Sequence, residues 1–496
     1  MFRPFRLSLF ALLAAMPAML AANNISVSNV SLTGKNTTTD TYQVQFDIGW
    51  DNSWRTSSGE ANYDAAWIFI KFRLDPLLPW NHATLSATGH VQPVGATITV
   101  PTDLKGAFLF RSADGSGNVG FNNAQLQWNY GASGVPDNAV IEVRVMAIEM
   151  VQVPQGPFFI GDGTTTDVFR QYEAAQTGAA FQVTSEAAIT LGGAGASSLN
   201  ARNAVPAGGS ANDDFNYTTT QTLPTAYPKG FAAFYAMKYE LTEGQYVDFL
   251  NMLTATQAAA RFPNLTGNNG HTVDDTGVAP DVYVTSAPER PCGGHSPQSL
   301  YAYADWSGLR PMSEFEYEKM CRGNRPAVAN EHAWGTTALS STVFNFNNVG
   351  AANEVITNPG TGAIANYLTT NNFVFRPWRS GIAPASFVGA TRVQASAGYY
   401  GAMDLTGNLL ELCISAGTTE ARGFLGTVHG DGALSGSGAS DIFTWPGNFN
   451  PSIKARGGFY GTAAGALGAL RVSDRRANAT QNNVVYENGI RLARTL

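Results

Sequence analysis

Side chains able to do chemistry are few in this chain, and their spacing narrows what they could do. The six histidines, at 82, 90, 271, 295, 332 and 429, include no i, i+4 pair and no metal-ligand spacing. His429 precedes Asp431 by two residues in "VHGDG", which has the makings of an acid/base pair, but a His beside an Asp in a Gly-rich loop is ordinarily solvated surface. Cys292, Cys321 and Cys413 permit one disulfide with one thiol over, and each reads as a buried structural thiol; Cys321 with Cys413 is one candidate pair. No GxSxG, phosphate-binding loop or dinucleotide fingerprint occurs, so a hydrolase or nucleotide enzyme has no residues to rest on. The stretch "ARGGFYGTAAGALGALRVSDRRA", residues 455–477, is the opposite case: it holds little that is large or reactive until Arg471, and reads alone as a core strand, a site or a small-residue surface.

The surrounding elements set where these groups can stand. Arg3 and Arg6 followed by the apolar run Leu7–Leu20, with Ala21 and Ala22 after it, form a signal-peptide pattern over residues 1–22. The run is too short to span a bilayer and Pro17 interrupts it, so a secreted or cell-surface protein with no transmembrane span is expected. Loss of Arg3 and Arg6 takes the formal charge from −7 to −9, which argues against nucleic-acid binding. From residue 23 to about 150 the sequence alternates in period two, as in Tyr42, Val44, Phe46, Ile48 and Trp50, and predicts an all-β sandwich of seven or eight strands.

Residues 151–496 predict a second, α+β domain. A Gly-, Ala-, Ser- and Asn-rich stretch from about Ser185 to Pro228 reads as a long irregular loop. Three helices follow. Thr242 with Gln245 makes a capping box and Tyr246, Phe249, Leu250 and Leu253 one apolar face; Ser296-Pro297 starts a second helix, with Leu300, Tyr303 and Ala304 inward; Ser313 with Glu316 opens a third, closed by Gly323. Gly-rich loops joined by short strands run from there to the end.

Four stretches in order give this second domain a family likeness. Lys238-Tyr239-Glu240-Leu241-Thr242, "RPMSEFEYEKMCRG" at 310–323, "GAMDLTGNLLELC" at 401–413, and Arg456-Gly457-Gly458-Phe459 with the closing Gly489-Ile490-Arg491-Leu492-Ala493 together resemble the sulfatase-modifying-factor family, whose best-known member is the formylglycine-generating enzyme. The resemblance covers residues 150–496 and implies a C-type-lectin-like fold, often with structural calcium. Glu411, four residues after Gly407, could then join the carbonyls of Gly407 and Leu409 around a hard cation, with Asn347 and Asn348 serving a second site by analogy; alternatively Glu411 hydrogen-bonds loop amides. The family's oxidase activity relies on two cysteines that hold Cu(I), and the aligned positions here carry Thr462 and Leu467, so no copper is expected.

The resemblance therefore implies a scaffold without the family's chemistry. The region lining the family's ligand-facing groove here carries Phe459, Tyr460, Thr462, Arg471, Asp474, Arg475, Asn478, Asn482, Asn483 and Tyr486, a mixture suited to recognition of an extracellular protein or glycan. The variable proteins of diversity-generating retroelements use the same fold for ligand binding, with the hypervariable segment in this place. Pairing of Arg471 or Arg475 with buried carboxylates such as Glu240, Glu314 or Glu316 is the competing role for those arginines. The other functional alternatives are an oxidase-family enzyme with a relocated thiol or metal centre and a cell-surface assembly subunit.

Overall fold

A computed structural model describes residues 24–75, 79–162, 171–173, 179–193, 195, 197–201, 213–215, 219–265, 267, 269–340, 342–368, 375–387, 390–447, 452–475, 477–478 and 485–496. The expected signal segment lies outside them. The elements that matter here are strands β1 (Ser26–Asn36), β2 (Thr41–Arg55), β3 (Asp64–Arg73), β4 (Ala96–Thr99), β5 (Ala107–Arg111), β6 (Gly115–Asn129), β7 (Glu142–Val153) and β8 (Phe234–Met237), followed by helices α1 (Glu243–Asn251) and α2 (Pro297–Trp306). Then come β9 (Arg310–Ser313), α3 (Glu314–Arg322), β10 (Leu410–Ile414), β11 (Ile453–Arg456) and β12 (Leu492–Arg494). The protein is a mixed α/β molecule, mostly sheet, and no described helix is long and apolar enough to cross a membrane.

The alternating N-terminal sequence does form strands. Sheet β1-β2-β6 is antiparallel, and Val44, Phe46, Ile48 and Trp50 of β2 turn one face inward to a core shared with Ala66, Ile68, Ile70 and Phe72 of β3. The run "DAAWIFIKF" on β3 is buried throughout because both faces of its sheet are covered. Its alternate residues Ala65, Trp67 and Phe69 join a second core with Tyr246, Phe249 and Leu250 of α1 and with Leu300, Tyr303 and Trp306 of α2.

This two-sided burial binds the N-terminal strands to the rest of the chain. β7 pairs with β3 along one edge and, through residues 150–153, with β8 along the other, so the expected boundary at 150/151 falls inside a continuous strand. One sheet then runs β11-β10-β9-β12-β8-β7-β3-β5-β4, with a parallel pairing only between β9 and β10 among these. Side chains tie the same junction: Trp67 Nε1 donates to the carbonyl of Ser307 at 2.8 Å, and the buried Lys71 ammonium donates to those of Trp306 at 2.7 Å and Gly432 at 3.0 Å.

The three expected helices are present with the expected caps. Thr242 and Ser313 close capping boxes with Gln245 and Glu316, Ser296 caps α2 with Pro297 in its first turn, and Gly323 ends α3 at φ 66°. Such a cap contributes about 1 kcal/mol. The predicted loop from Ser185 to Pro228 is partly strand instead: Ile189–Leu191, Leu199–Ala201 and Gln221–Leu223 join Gln171–Glu173 in a small sheet. These three-residue strands are too short for period-two alternation to register in a Gly- and Ala-rich stretch.

Candidate functional site

The segment after β11 is folded by two glycines. β11 pairs antiparallel with β10, Arg456 opposite Glu411, and the chain then reverses through Gly457 at φ 83° and Gly458 at φ 71°. A Cβ on Gly457 would lie 2.7 Å from the carbonyl oxygen of Leu405, and one on Gly458 2.6 Å from Leu470 Cδ2, so the close approach as well as the dihedral requires glycine. The reversal locks against the "TGN" loop: Gly407 N–H donates to the Gly457 carbonyl at 2.8 Å and Tyr460 N–H to that of Asn408 at 3.0 Å. The small-residue run forms a 3₁₀ helix, Ala464–Leu470, rather than a strand.

Beneath this turn lies a buried chain of alternating charges. Arg456 reaches Glu314 (Nη1 to Oε2, 3.1 Å) and Glu318 (Nη2 to Oε1, 2.9 Å), both on α3. Glu318 continues to Arg322 at 3.2 Å and Arg322 to Glu331, while Glu314 continues to Arg475 at 2.6 Å and Arg475 to Asp213. Burial opposes ionisation of Glu314, but Arg475 and then Arg456 outweigh it, and the carboxyl is held down to about 2. The spacing Glu314, Glu318, Arg322 at i, i+4, i+8 was the signal in the sequence for this face of α3.

The candidate ligand-binding residues divide accordingly. Arg475 is 2% exposed and doubly paired, with Glu314 among its partners, so it is a structural cation and is withdrawn from the recognition set. Tyr460, Thr462 and Asp474 are also buried. Thr462 Oγ1 accepts from Phe459 N–H at 3.0 Å, which spends the hydroxyl on its own turn, and Leu467 packs against the core around Tyr317, Met320 and Cys321. Phe459, Arg471 and Tyr486 remain half-buried at the surface. Phe375, which periodicity gave no reason to single out, is exposed and stands edge-on to Tyr460 at 5.0 Å between ring centres. Asn478 lies in a two-residue strand opposite Lys454, and Asn482 and Asn483 fall outside the described residues.

Around Glu411 the structure adds groups that the sequence pattern missed. Glu411 is fully buried and its Oε1 accepts from Arg491 Nε at 2.9 Å, while Oε2 has no hydrogen-bond partner. Glu240 accepts from Asn408 Nδ2 at 2.7 Å and from Leu409 N–H at 2.9 Å. Burial pushes the carboxyls of Glu240, Asp404 and Glu411 all upward, and Asp404 raises Glu240 and Glu411 further; Arg491 opposes at all three and Arg379 at Asp404. Glu411 Oε2 is thus an orphaned buried oxygen, but the oxygens of Glu240, Asp404 and Glu411 do not gather around one point; among the described residues the three carboxylates close enough to share a cation are Asp305, Asp431 and Asp441. Asn347 and Asn348 are exposed on a short ribbon, where Asn347 Oδ1 accepts the Asn348 amide at 3.1 Å.

The remaining candidates for chemistry are dispersed. Cys292, Cys321 and Cys413 are free and buried, so the Cys321–Cys413 pairing is not formed, and burial pushes all three thiols up. His429 Nε2 accepts from Thr495 N–H at 3.0 Å and its Nδ1 faces Asp103 at 3.9 Å, so no His429–Asp431 pair is formed.

The glycine reversal locked to the "TGN" loop, the α3 carboxylates below it and the closing β12 define a sulfatase-modifying-factor architecture. Residues 194–496 match the sulfatase-modifying factor enzyme 1-like domain, and the chain belongs to that family. No curated protein matches the chain.

Proposed function

We propose that this protein is a secreted, non-catalytic ligand-binding protein that presents the surface between residues 459 and 486 to an extracellular protein or glycan. The observation that carries this reading is the pair Thr462 and Leu467 at the positions of the family's copper-binding cysteines, one with its hydroxyl tied to Phe459 and the other packed on the core. A relocated thiol centre is disfavoured because the three cysteines are buried with their thiols held protonated. Among the described residues, Phe459, Arg471 and Tyr486 are left at the surface, with Phe375 beside Phe459 and Tyr460, aromatic faces and a guanidinium of the kind that dominates recognition surfaces.

The finer fold belongs to the same reading: a C-type-lectin-like domain preceded by an all-β sandwich. Calcium would be structural, held by Glu411 with the carbonyls of Gly407 and Leu409, Asp404 adding charge; it would cross-link the "TGN" loop to the core. Two experiments test the proposal. Competition for Cu(I) against a chromophoric chelator should show no stoichiometric binding, and tight binding overturns the non-catalytic reading. A glycan and protein array probed with the wild type and with Phe459→Ala, Arg471→Ala and Tyr486→Ala should give a signal that the variants lose; no signal for any probe favours an assembly role.

A further inference from the structure

Away from that surface, a cavity of about 350 Å³ opens where β2 meets the family domain. Its size is that of a small-molecule site, roughly 300–1,000 Å³. Trp54 of β2 forms one wall, and Tyr239, Phe387 and Met403 form others. Arg379 and Ser380 line it together.

The polar groups here are donors whose capacity is not used. Arg379 is only 8% exposed; its Nε donates to the Glu354 carbonyl at 3.0 Å, and its terminal nitrogens make no hydrogen bond among the described residues. Ser380 is 1% exposed, and its Oγ has no partner although its amide already anchors the loop to the Glu289 carbonyl at 3.0 Å. The Tyr239 hydroxyl likewise makes no hydrogen bond among the described residues. Lys238 also lines the cavity, but its charge is spent on Glu149 at 2.9 Å and Asp64 at 3.3 Å. Buried donors left unsatisfied are costly, so the arrangement calls for an acceptor-rich group.

We propose that this cavity binds a small organic carboxylate, its oxygens on Arg379 and Ser380 and its apolar body against Trp54, Phe387 and Met403. The planar guanidinium matches a carboxylate in two-point geometry, and the walls supply apolar cover for the rest of the molecule. A phosphate dianion is the poorer fit. Arg379, whose charge also steadies the buried Asp404 carboxyl, is the one lining cation outside an ion pair among the described residues, and Asp51 on the lining would repel a second negative charge.

Isothermal titration of the full chain with phenylacetate, phenylacetamide and inorganic phosphate tests this. Phenylacetate should bind, and the uncharged amide about tenfold more weakly or worse, because the amide cannot satisfy the guanidinium as an anion does. Arg379→Gln should weaken phenylacetate about tenfold, and Ser380→Ala several-fold. Ser380→Ala removes a single atom and keeps the proposal testable if Arg379→Gln fails to fold. The proposal is overturned if phenylacetate does not bind at 10 mM, roughly the weakest binding such a built site would allow. Equal binding of acid and amide, preference for phosphate, or unchanged affinity in Ser380→Ala overturns it as well. The cavity shares no residue with the 459–486 surface, so either result leaves that reading standing.

Discussion

Arg456 and Glu314 meet fully buried, 3.1 Å apart, at the point where the last central strand turns into the glycine reversal. Neither could stay charged there alone, because each is a link in a chain that runs from Asp213 to Glu331. Removing one member strands the others in a medium that cannot solvate them. Arg456→Met is therefore expected to cost about 3–5 kcal/mol, measured by urea unfolding, whereas substitution of a surface charge costs well under 1 kcal/mol. A loss below 1 kcal/mol for Arg456→Met would mean that the network is not a stabilising unit.

The same pair sets the acid limb of stability. The Glu314 carboxyl titrates at about 2 in the folded chain and at about 4.5 unfolded, so its contribution is present in full above pH 4.5 and is lost as pH falls toward 2. His295, which burial and then His271 push down to about 3, acts in the same direction over the window from 6.5 downward. Asp305, pushed up to about 6 by burial, acts against both. His295→Leu should flatten the stability profile between pH 6.5 and 4 relative to the wild type, in urea midpoints taken at half-unit intervals. An unchanged slope would show that His295 does not titrate on unfolding.

How much of this could be read beforehand depended on whether the information was local. Caps are local, so Thr242, Ser296 and Ser313 marked three helices correctly. The four family motifs were legible for the same reason. The α2 face against β3 was not, since Trp67 and Trp306 are separated by about half of the chain and no pattern announces that both sides of "DAAWIFIKF" are covered. Arg475 shows the same limit at the site: pairing with a carboxylate such as Glu314 stood beside surface recognition as a reading of the sequence, and only the fold, which also brings Asp213 to it, decides between them. Glu240 joined Asp404 and Glu411 of the 401–413 motif in the same way, from a motif far off in the sequence.

Calcium is expected to raise the melting temperature. Glu411 Oε2 is buried without a hydrogen-bond partner, and a dication there would give it one and favour the ionised carboxyl against its burial. At a calcium concentration 100 times its dissociation constant the gain is about 2.7 kcal/mol. Adding EGTA should lower the melting temperature of the wild type and leave that of Glu411→Gln unchanged, as followed by differential scanning calorimetry. Equal shifts in both proteins, or none in the wild type, would remove calcium from this position.

The last expectation separates two arginines that the sequence presents almost side by side. Arg475 is spent on Glu314 and Asp213 inside the protein, while Arg471 is half-buried at the surface beside the 3₁₀ helix. Arg475→Ala leaves two buried carboxylates short of a cation and should cost about 3–5 kcal/mol of stability. Arg471→Ala should change stability by less than about 1 kcal/mol and act instead on binding of whichever array ligand the wild type retains. Thermal melts and binding measured on the same two preparations decide it. If Arg471→Ala melts as early as Arg475→Ala, then Arg471 is a packing residue too and the recognition surface shrinks to Phe459, Tyr486 and Phe375.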